Sequence, residues 1–478
     1  MNKEDQNIAD VEFILSEVER FALMPHSDLI KHLKENRDDF FMALNRRSGG
    51  MLFCGRDAYN RFKEIADHTI KHGSSEAKKF NLRDYVRNLR VAFVELFVEG
   101  SKPVNQSSVS KLLNRAKHLA NEELIHVTHH IPCILFFEKE PAMFNVGPVT
   151  FTRIERFLVE IDHALAAYHK ENLEAFSVGL RQRHTDLSIE EVQAEATGFA
   201  DTHLGKIRDY YLDYNWVASV KIPPCHTEYS KLRAERTVDA ALDVLRLFVP
   251  TNSKRYRRSN APNIPSKTCE IVTDQNNHIL TTVNYDWWGV TAGEGWYDNL
   301  MLHAAPLWHL FEEAIDGLRL EEIKDELNQR LLDAINWFGQ AVVEPNPAAK
   351  IVKYSAALER LTMTGHLPSG IEARIIKRVV DLNSDGTDKT YDNIKKEVGA
   401  LYQYRSDLMH GAISPYSSSI SGVIHSAWEV SRWAILNAAQ FFAFLRENGK
   451  HTQKDLDAAY ERILTDYLRS EGTCSASL

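Results

Sequence analysis

The apolar residues of the first 120 positions recur at the spacing of an amphipathic helix. In "IADVEFILSEVERFALM" they stand at positions 8, 11, 14, 15, 18 and 21–23, close to the 3.6-residue period. The stretch "LRDYVRNLRVAFVELFVEG" repeats this pattern and stops at Gly100, which Lys102 and Pro103 follow, as is typical of a helix end. Residues 1–120 are therefore predicted to be mainly helical.

From about residue 124 the pattern changes to β-branched and aromatic runs. "LIHVTHHIPCILFFE" and "GPVTFTRIERFLVEI" are predicted to form a strand pair, and "NWVASVKIPP" (215–224) a further strand closed by two prolines. "SKTCEIVTDQNNHILTTVNYDWW" is predicted to form a hairpin that turns at Asp274–Asn277. The segment "YSKLRAERTVDAALDVLRLFV" between these last two strands is predicted to be helical. Residues 1–300 are therefore expected to be a mixed α/β region in which helices dominate.

After Trp296 the helical period dominates to the end of the chain. Turn-rich breaks at 343–347, 364–370 and 382–390 separate the segments. The predicted helices are 300–316, 320–342, 349–363, 370–381, 391–410, 420–447 and 453–469. The predicted fold class is mainly α, in which the mixed α/β N-terminal region (1–300) precedes a C-terminal helical bundle (301–478).

Composition and charge limit the function. The 478 residues, 44% hydrophobic and 26% charged, are ordinary for a soluble protein of several domains. Apolar runs fall short of the ~20 residues of a membrane-spanning helix, and "MNKEDQNIADVEF" does not look like a signal peptide, so we expect a cytoplasmic protein. Five scattered cysteines favour neither a disulfide framework nor a zinc site. With a net charge of −9, any contact with nucleic acid requires a local basic patch.

The stretch "LYQYRSDLMHG" (401–411) places Arg405 inside an apolar stripe of its predicted helix. The stripe comprises Val398, Leu401, Tyr402, Leu408, Met409 and Ala412. A buried guanidinium is costly unless a carboxylate, a second subunit or a ligand phosphate pairs with it, so a purely structural Arg–Glu pair is the alternative to a binding site. His410 follows about 140° around an ideal helix, and Gly411 favours a helix end at which both side chains reach one cleft or face each other across a dimer axis.

Arginine and histidine at a similar spacing recur elsewhere in the chain, so the context of the motif decides its meaning. Leu401-Tyr402, Arg405-Ser406 and His410-Gly411, with the upstream helix Ala357-Leu358-Glu359-Arg360-Leu361, resemble the Apea-like branch of the HEPN superfamily over roughly residues 320–450. The resemblance implies a compact helical bundle that dimerises and an R-x4-6-H motif that forms a metal-independent endoribonuclease site. It also implies a setting in anti-phage defence or toxin–antitoxin systems. Ser406 takes the place of the motif's polar residue, and Asp407 follows it.

The chemistry of RNA cleavage fits these residue types. RNA carries its own nucleophile, the 2′-OH, so the site needs a group that moves protons near neutral pH, for which His410 is the candidate. Arg405 can direct two hydrogen bonds to the phosphate as its charge develops. No metal or cofactor is required, and the products are a 2′,3′-cyclic phosphate and a 5′-OH. Glu359 is the candidate to orient Arg405, its alternative being an ordinary surface carboxylate, and Tyr402 is a supporting residue.

The leading hypothesis is a dimeric endoribonuclease whose two motifs face one composite groove. Residues 1–300 are expected to sense a trigger of phage origin or to restrain the nuclease, with an antitoxin-like protein as a further candidate partner. The rival is a non-catalytic RNA- or protein-binding module in which Arg405 is structural. A metal-dependent nuclease is a third alternative, which predicts that chelation abolishes activity.

Two other clusters have alternative explanations. The basic segment "NSKRYRRSN" (252–260) offers Lys254, Arg255, Tyr256, Arg257 and Arg258 as candidate RNA-binding residues, by charge and stacking, against the alternative of a solvated loop. The histidines of "NEELIHVTHHIP" suggest a metal site with Glu122. The favoured interpretation is a strand that places His126 and His130 on one face and His129 on the other.

Overall fold

The protein is described here from a computed structural model. The structure describes residues 3–25, 28, 31–32, 42–45, 51–72, 79–184, 186–249, 255–259, 272–273, 279–281, 290–323, 325–363, 371–383 and 390–462. Over these residues the chain is mainly helical, with a small antiparallel sheet, which confirms the predicted class at this level. It divides into two compact units, Met1–Val127 with Ile222–Leu232, and Thr128–Lys221 with Arg233–Leu478. The predicted functional boundary at residue 300 stays a prediction.

The first unit is built mainly of helices, with one hairpin. Its main elements are α1 (Lys3–Ala22), β1 (Met42–Asn45), β2 (Met51–Cys54), α2 (Arg56–His72), α3 (Leu82–Phe93) and α4 (Gln106–Glu122). α3 continues as a π-helical turn over Val94–Glu99, so the predicted helical character of residues 1–120 and the end at Gly100 are confirmed for the described part. Asn81 and Asn105 accept backbone hydrogen bonds at the starts of α3 and α4.

The second unit contains a five-stranded sheet whose order corrects the predicted strand pair. The strands are β3 (Val127–Ile134), β4 (Met143–Val146), β5 (Val149–Arg153), β6 (Trp216–Ile222) and β7 (Arg257–Arg258), in the order β4-β5-β6-β3-β7. β3 and β5 are therefore not neighbours. Gly147, with φ +56°, closes a tight turn that pairs β5 with β4, and β6 occupies the other edge of β5.

The structure confirms two other predictions for this region and corrects a third. The strand predicted at 215–224 is confirmed as β6. The end of "GPVTFTRIERFLVEI" is helical instead, as α5 (Ile154–Glu160). The predicted hairpin is confirmed as β8 (Val272–Thr273) paired with β9 (Ile279–Thr281), while its turn lies outside the described residues. Two long helices that the sequence patterns did not identify follow α5, α6 (Asp162–Arg183) and α7 (Ile189–Leu212).

The remaining helices of the second unit begin with α8 (Thr227–Phe248), whose residues from Arg233 onward belong to it. They continue as α9 (Trp296–Leu320), α10 (Glu326–Val343), α11 (Pro347–Thr362), α12 (Ile371–Asn383), α13 (Tyr391–Met409), α14 (Ser421–Glu447) and α15 (453–462). The predicted helices are thus confirmed to within about six residues at each end, except that 463–469 lie outside the described residues. Asp325, Asn346 and Thr390 cap α10, α11 and α13.

α10 to α14 form one bundle, in which α14 packs against the four helices before it. Two buried arginines, Arg330 of α10 and Arg378 of α12, bind both the end of α11 and side chains of α15. Arg330 donates to the Arg360 carbonyl (2.9 Å) and to Gln453 Oε1 (3.0 Å), and Arg378 donates to the Thr362 carbonyl (2.7 Å) and pairs with Asp457. These bonds satisfy carbonyls that a helix end leaves without intrahelical partners. Throughout the described part of the chain, each helix is too short or too polar to cross a lipid bilayer.

Candidate functional site

The motif arginine lies on α13, opposite the glutamate predicted to orient it on α11. Arg405 Nη2 is 3.4 Å from Glu359 Oε1, and the two side chains are 38% and 32% exposed. The pair is therefore at the edge of the bundle, where solvent can reach it. The structure thus brings together two residues that are 46 positions apart in sequence.

The predicted apolar stripe is buried only along the first part of α13. Val398, Leu401 and Tyr402 are in the core, but Leu408 is half-buried and Met409 is 61% exposed. The expectation that Arg405 faces the core is therefore wrong in degree. Neighbouring helices cover α13 up to Tyr402 and leave its last two turns partly open.

Burial shapes the electrostatics around Arg405. Burial raises the pKa of the Glu359 carboxyl above its ordinary value, while the positive charge of Arg405 acts in the opposite direction. Burial also raises the pKa of the Tyr402 hydroxyl, to which the Glu359 charge contributes. That hydroxyl donates to the Ser355 carbonyl of α11 (3.3 Å), so Tyr402 joins the two helices beside the ion pair.

α13 ends at the motif histidine, as the glycine after it predicts. His410 is the C-cap, with φ −97° and ψ 2°, and Gly411 takes the left-handed φ of +75°. The Ala412 N–H donates to the Asp407 carbonyl (2.8 Å) and the Gly411 N–H to the Leu408 carbonyl (3.4 Å), the two bonds of a Schellman end. His410 is exposed and lies where the helical geometry of α13 ends.

Ser406 and Asp407, the two polar residues between Arg405 and His410, are half-buried. The Ser406 carbonyl accepts the His410 N–H (2.9 Å), and the Asp407 carboxylate accepts from Gln403 Nε2 (2.9 Å). Both residues therefore help to fix the helix end on which His410 lies.

The basic segment is placed differently from the exposed loop that its sequence suggests. Tyr256 is fully buried and its hydroxyl donates to the Val249 carbonyl (3.0 Å), and Arg258 is buried and bidentate to Asp239 (2.8 and 3.1 Å). Neither side chain is presented to a base or a phosphate in this conformation. Arg255 is exposed and Arg257 half-exposed, and Lys254 lies outside the described residues. Contact with RNA by this segment now rests on Arg255 and Arg257.

Sequence reasoning missed a buried charged cluster between α8 and α10. Asp243 and Arg246 of α8 are both buried and form an ion pair, and Arg246 also donates to the Tyr256 carbonyl. Burial raises the pKa of Asp243 to about 7 although Arg246 opposes the shift. The Asp243 carboxylate lies directly against the backbone of Gly339 in α10. The available signals were a glycine in the middle of a helix and a carboxylate within the apolar run "DAALDVLRLF".

The described residues contain no group of three or more His, Cys, Asp and Glu side chains arranged to hold a metal ion. In the histidine segment, His130 lies on β3 with its Nδ1 2.8 Å from Ser219 Oγ, and burial lowers its pKa. In comparisons with known proteins, no family model matches the chain, and no curated protein or solved structure matches it significantly.

Proposed function

We propose that α10 to α14 form a HEPN-type bundle and that the protein is a metal-independent endoribonuclease. The observation that carries the proposal is the solvent-accessible Arg405–Glu359 pair on a helix that ends at His410 and Gly411. Arg405 binds the scissile phosphate, and Glu359 holds the guanidinium in orientation. His410 moves the proton of the attacking 2′-OH or of the leaving 5′-oxygen.

The geometry of the pair suits this role. A guanidinium has five N–H donors, and one long contact to Glu359 leaves most of them for a phosphate. The histidine is exposed at a helix end, where a flexible polymer can approach it. Arg405 and His410 lie about 140° apart on an ideal helix, and His410 is the C-cap residue at which α13 ends.

We further propose that two copies associate near this end of α13, so that two motifs face one groove. The supporting observation is that two large apolar side chains close to the motif in sequence are exposed, Met409 by 61% and Tyr416 by 92%. Large exposed apolar side chains near a site favour an interface. Tyr416→Asp is expected to lower the apparent mass in light scattering and to reduce cleavage, whereas a wild-type chain that is monomeric at assay concentration would contradict this part.

The decisive experiment is RNA cleavage in chelator. Purified full chain is incubated with labelled single-stranded RNA and excess EDTA, and Arg405→Ala and His410→Ala are compared with wild type. Arg181→Ala and His163→Ala change the same residue types on α6, which buries no side chain, and serve as matched controls. We expect cleavage to survive in the wild type and both controls, to fall at least 100-fold in both motif variants, and to leave 2′,3′-cyclic phosphate ends.

The second candidate is a non-catalytic binding module, and one observation favours it. An arginine that pairs with a glutamate across two helices is also what a structural ion pair looks like. This alternative predicts that wild-type protein binds RNA in a gel-shift assay without cleaving it. Activity that disappears in EDTA and returns with Mg²⁺ would instead favour a metal-dependent nuclease.

We propose that the nuclease acts in bacterial defence in the cytoplasm, with residues 1–300 sensing a phage-derived trigger or binding an antitoxin-like partner. Support comes from the resemblance of the motif and from the length of chain that precedes the bundle. Bacterial cells that express the full chain or its His410→Ala variant are challenged with a panel of phages. Protection by wild type alone is the expected result, and equal plaque counts would contradict the defence role.

A further inference from the structure

A cleft of about 310 Å³ lies within the second compact unit, and its lining includes neither Arg405 nor Glu359. Its walls are formed by side chains of α8, β7, α10 and α11 and by the turn between α10 and α11. Its volume is at the lower end of that of small-molecule sites, which fits a compact ligand and not a polymer. Its residues take no part in the proposed cleavage step, although Arg257 is also a candidate RNA contact.

Among the described residues that line the cleft, basic side chains outnumber acidic ones by one. The basic residues are Arg246, Arg257, Arg258 and Lys353, and the acidic residues are Asp239, Asp243 and Glu344. Burial raises the pKa of Asp243 to about 7, and protonation of this carboxyl increases the positive excess. Positive charge in a concave, partly buried site favours an anionic ligand.

Ion pairs within the walls fix several of these groups before any ligand binds. Arg258 Nε is 2.8 Å from Asp239, and Lys353 Nζ is 2.6 Å from Glu344. Arg246 pairs with Asp243, and its buried Nε–H has no hydrogen-bond acceptor among the described residues. Groups that are already oriented lose little conformational entropy when a ligand arrives, which favours binding.

The other side of the cleft suits a flat ring with polar edges. Leu242, Val343 and Pro345 offer an apolar surface. Asn336 and Gln340 lie beside them and share one hydrogen bond of 3.1 Å between their amides. Primary amides present both donors and acceptors, the combination that reads the edge of a nucleobase.

We propose that this cleft binds a nucleoside monophosphate, with the phosphate at Arg257 and Lys353 and the base between Gln340 and Val343. The apolar and amide wall recognises the base, and the basic wall recognises the phosphate. The proposal is independent of the ribonuclease activity because its test measures binding alone.

The test is calorimetric titration of AMP, GMP, CMP and UMP into the full chain, with the parent nucleosides, inorganic phosphate and a small dicarboxylate as comparison ligands. At least one nucleotide is expected to bind in the micromolar range. Its nucleoside and inorganic phosphate should each bind about tenfold more weakly or worse, because each lacks one half of the recognised chemistry. Nucleoside, phosphate or dicarboxylate that binds as tightly as every nucleotide overturns the proposal, as does the failure of all four nucleotides to bind.

Variants locate the site. Arg257→Gln and Lys353→Gln each remove one proposed phosphate contact and should weaken nucleotide binding about tenfold, while Gln340→Leu should change the order of preference among the four bases. Arg181→Gln on α6 is the matched control and should bind as wild type does. Thermal unfolding of each variant verifies that it is folded. Nucleotide affinity unchanged in folded Arg257→Gln and Lys353→Gln proteins would refute this location.

Discussion

Gly339→Ala tests whether the buried carboxylate of Asp243 occupies the space that a side chain at residue 339 would fill. An ideal Cβ at residue 339 would overlap the carboxyl carbon and one oxygen of Asp243 and lie 2.5 Å from the other oxygen. Asp243 is buried and paired with Arg246, which is itself held by the Tyr256 carbonyl. The carboxylate can therefore move away from residue 339 only by breaking its ion pair with Arg246.

Two contributions determine the expected loss in the free energy of unfolding. Breaking a buried ion pair so that its partner stays buried costs about 3–5 kcal/mol. Alanine recovers about 1 kcal/mol in a helix interior relative to glycine. The free energy of unfolding of Gly339→Ala is therefore expected to fall by about 2–4 kcal/mol. Gly399→Ala is the matched control, because a Cβ there meets no atom within 4 Å and α13 should gain about 0.5–1 kcal/mol.

The assay is urea unfolding followed by tryptophan fluorescence. All eight tryptophans lie between residues 216 and 433, so the signal reports on the second compact unit, in which both glycines lie. A change in midpoint at constant slope measures the change in stability. Gly339→Ala should shift the midpoint down and Gly399→Ala should shift it up. Equal midpoints, or a stabilised Gly339→Ala, would refute the close contact between α8 and α10.

Three further predictions concern other charged groups. The pKa of Asp243 is about 7 in the folded state against an ordinary 3.8, so the native state holds a proton that the unfolded state releases, and stability falls as pH rises. Relative to Asp243→Asn, the free energy of unfolding of wild type should fall by about 2–3 kcal/mol between pH 5 and pH 7. Urea unfolding at each pH measures it, and parallel pH profiles of the two proteins would contradict the prediction. Glu359→Gln should lower kcat for RNA cleavage about tenfold, and unchanged kcat would exclude a positioning role. Its free energy of unfolding should stay within about 1 kcal/mol of that of wild type, because the pair with Arg405 is partly exposed. Arg378→Met strands a buried carbonyl at the end of α11 and should destabilise by about 2–3 kcal/mol in urea unfolding, more than Lys377→Met, whose ion pair is long at 3.9 Å.

Local signals explain why the helices after residue 296 could be predicted from the sequence. Each of α10, α11 and α13 starts at an Asp, Asn or Thr whose side chain accepts a backbone hydrogen bond, and turn-rich stretches separate them. Capping and periodicity act within a few residues, so one sequence is sufficient to detect them. The same signal existed at α7, where Ser188 and Glu191 form a capping box, and it would have identified that helix.

Contacts between distant segments could not be predicted in the same way. The placement of β6 between β5 and β3 depends on residues about 65 to 90 positions apart, and no local pattern encodes strand order. The packing of Asp243 on Gly339 joins two helices that are separated by about 96 positions. An aspartate in an apolar run and a glycine inside a helix are each unusual in the sequence. Only the fold shows that the glycine makes room for the aspartate.

Periodicity identified the face of α13 on which Arg405 lies but not how far its neighbours cover that face. The stripe continues in sequence to Met409 and Ala412, whereas burial stops near Tyr402. The predicted cost of a buried guanidinium is therefore smaller than the sequence suggested. Glu359 was predicted as the candidate to orient Arg405, and the structure brings the two side chains together.

The buried arginines of this protein show what a structural arginine looks like here, and Arg405 differs from them. Arg378, 2% exposed, donates to a helix-end carbonyl and pairs with Asp457, and Arg330 donates to two backbone carbonyls and a glutamine. Several strong bonds offset the desolvation of each guanidinium. Arg405 is 38% exposed and its ion pair among the described residues is one contact of 3.4 Å to Glu359. Packing alone does not require an arginine at such a position, whereas a group that must exchange water for a phosphate needs donors that the fold leaves accessible.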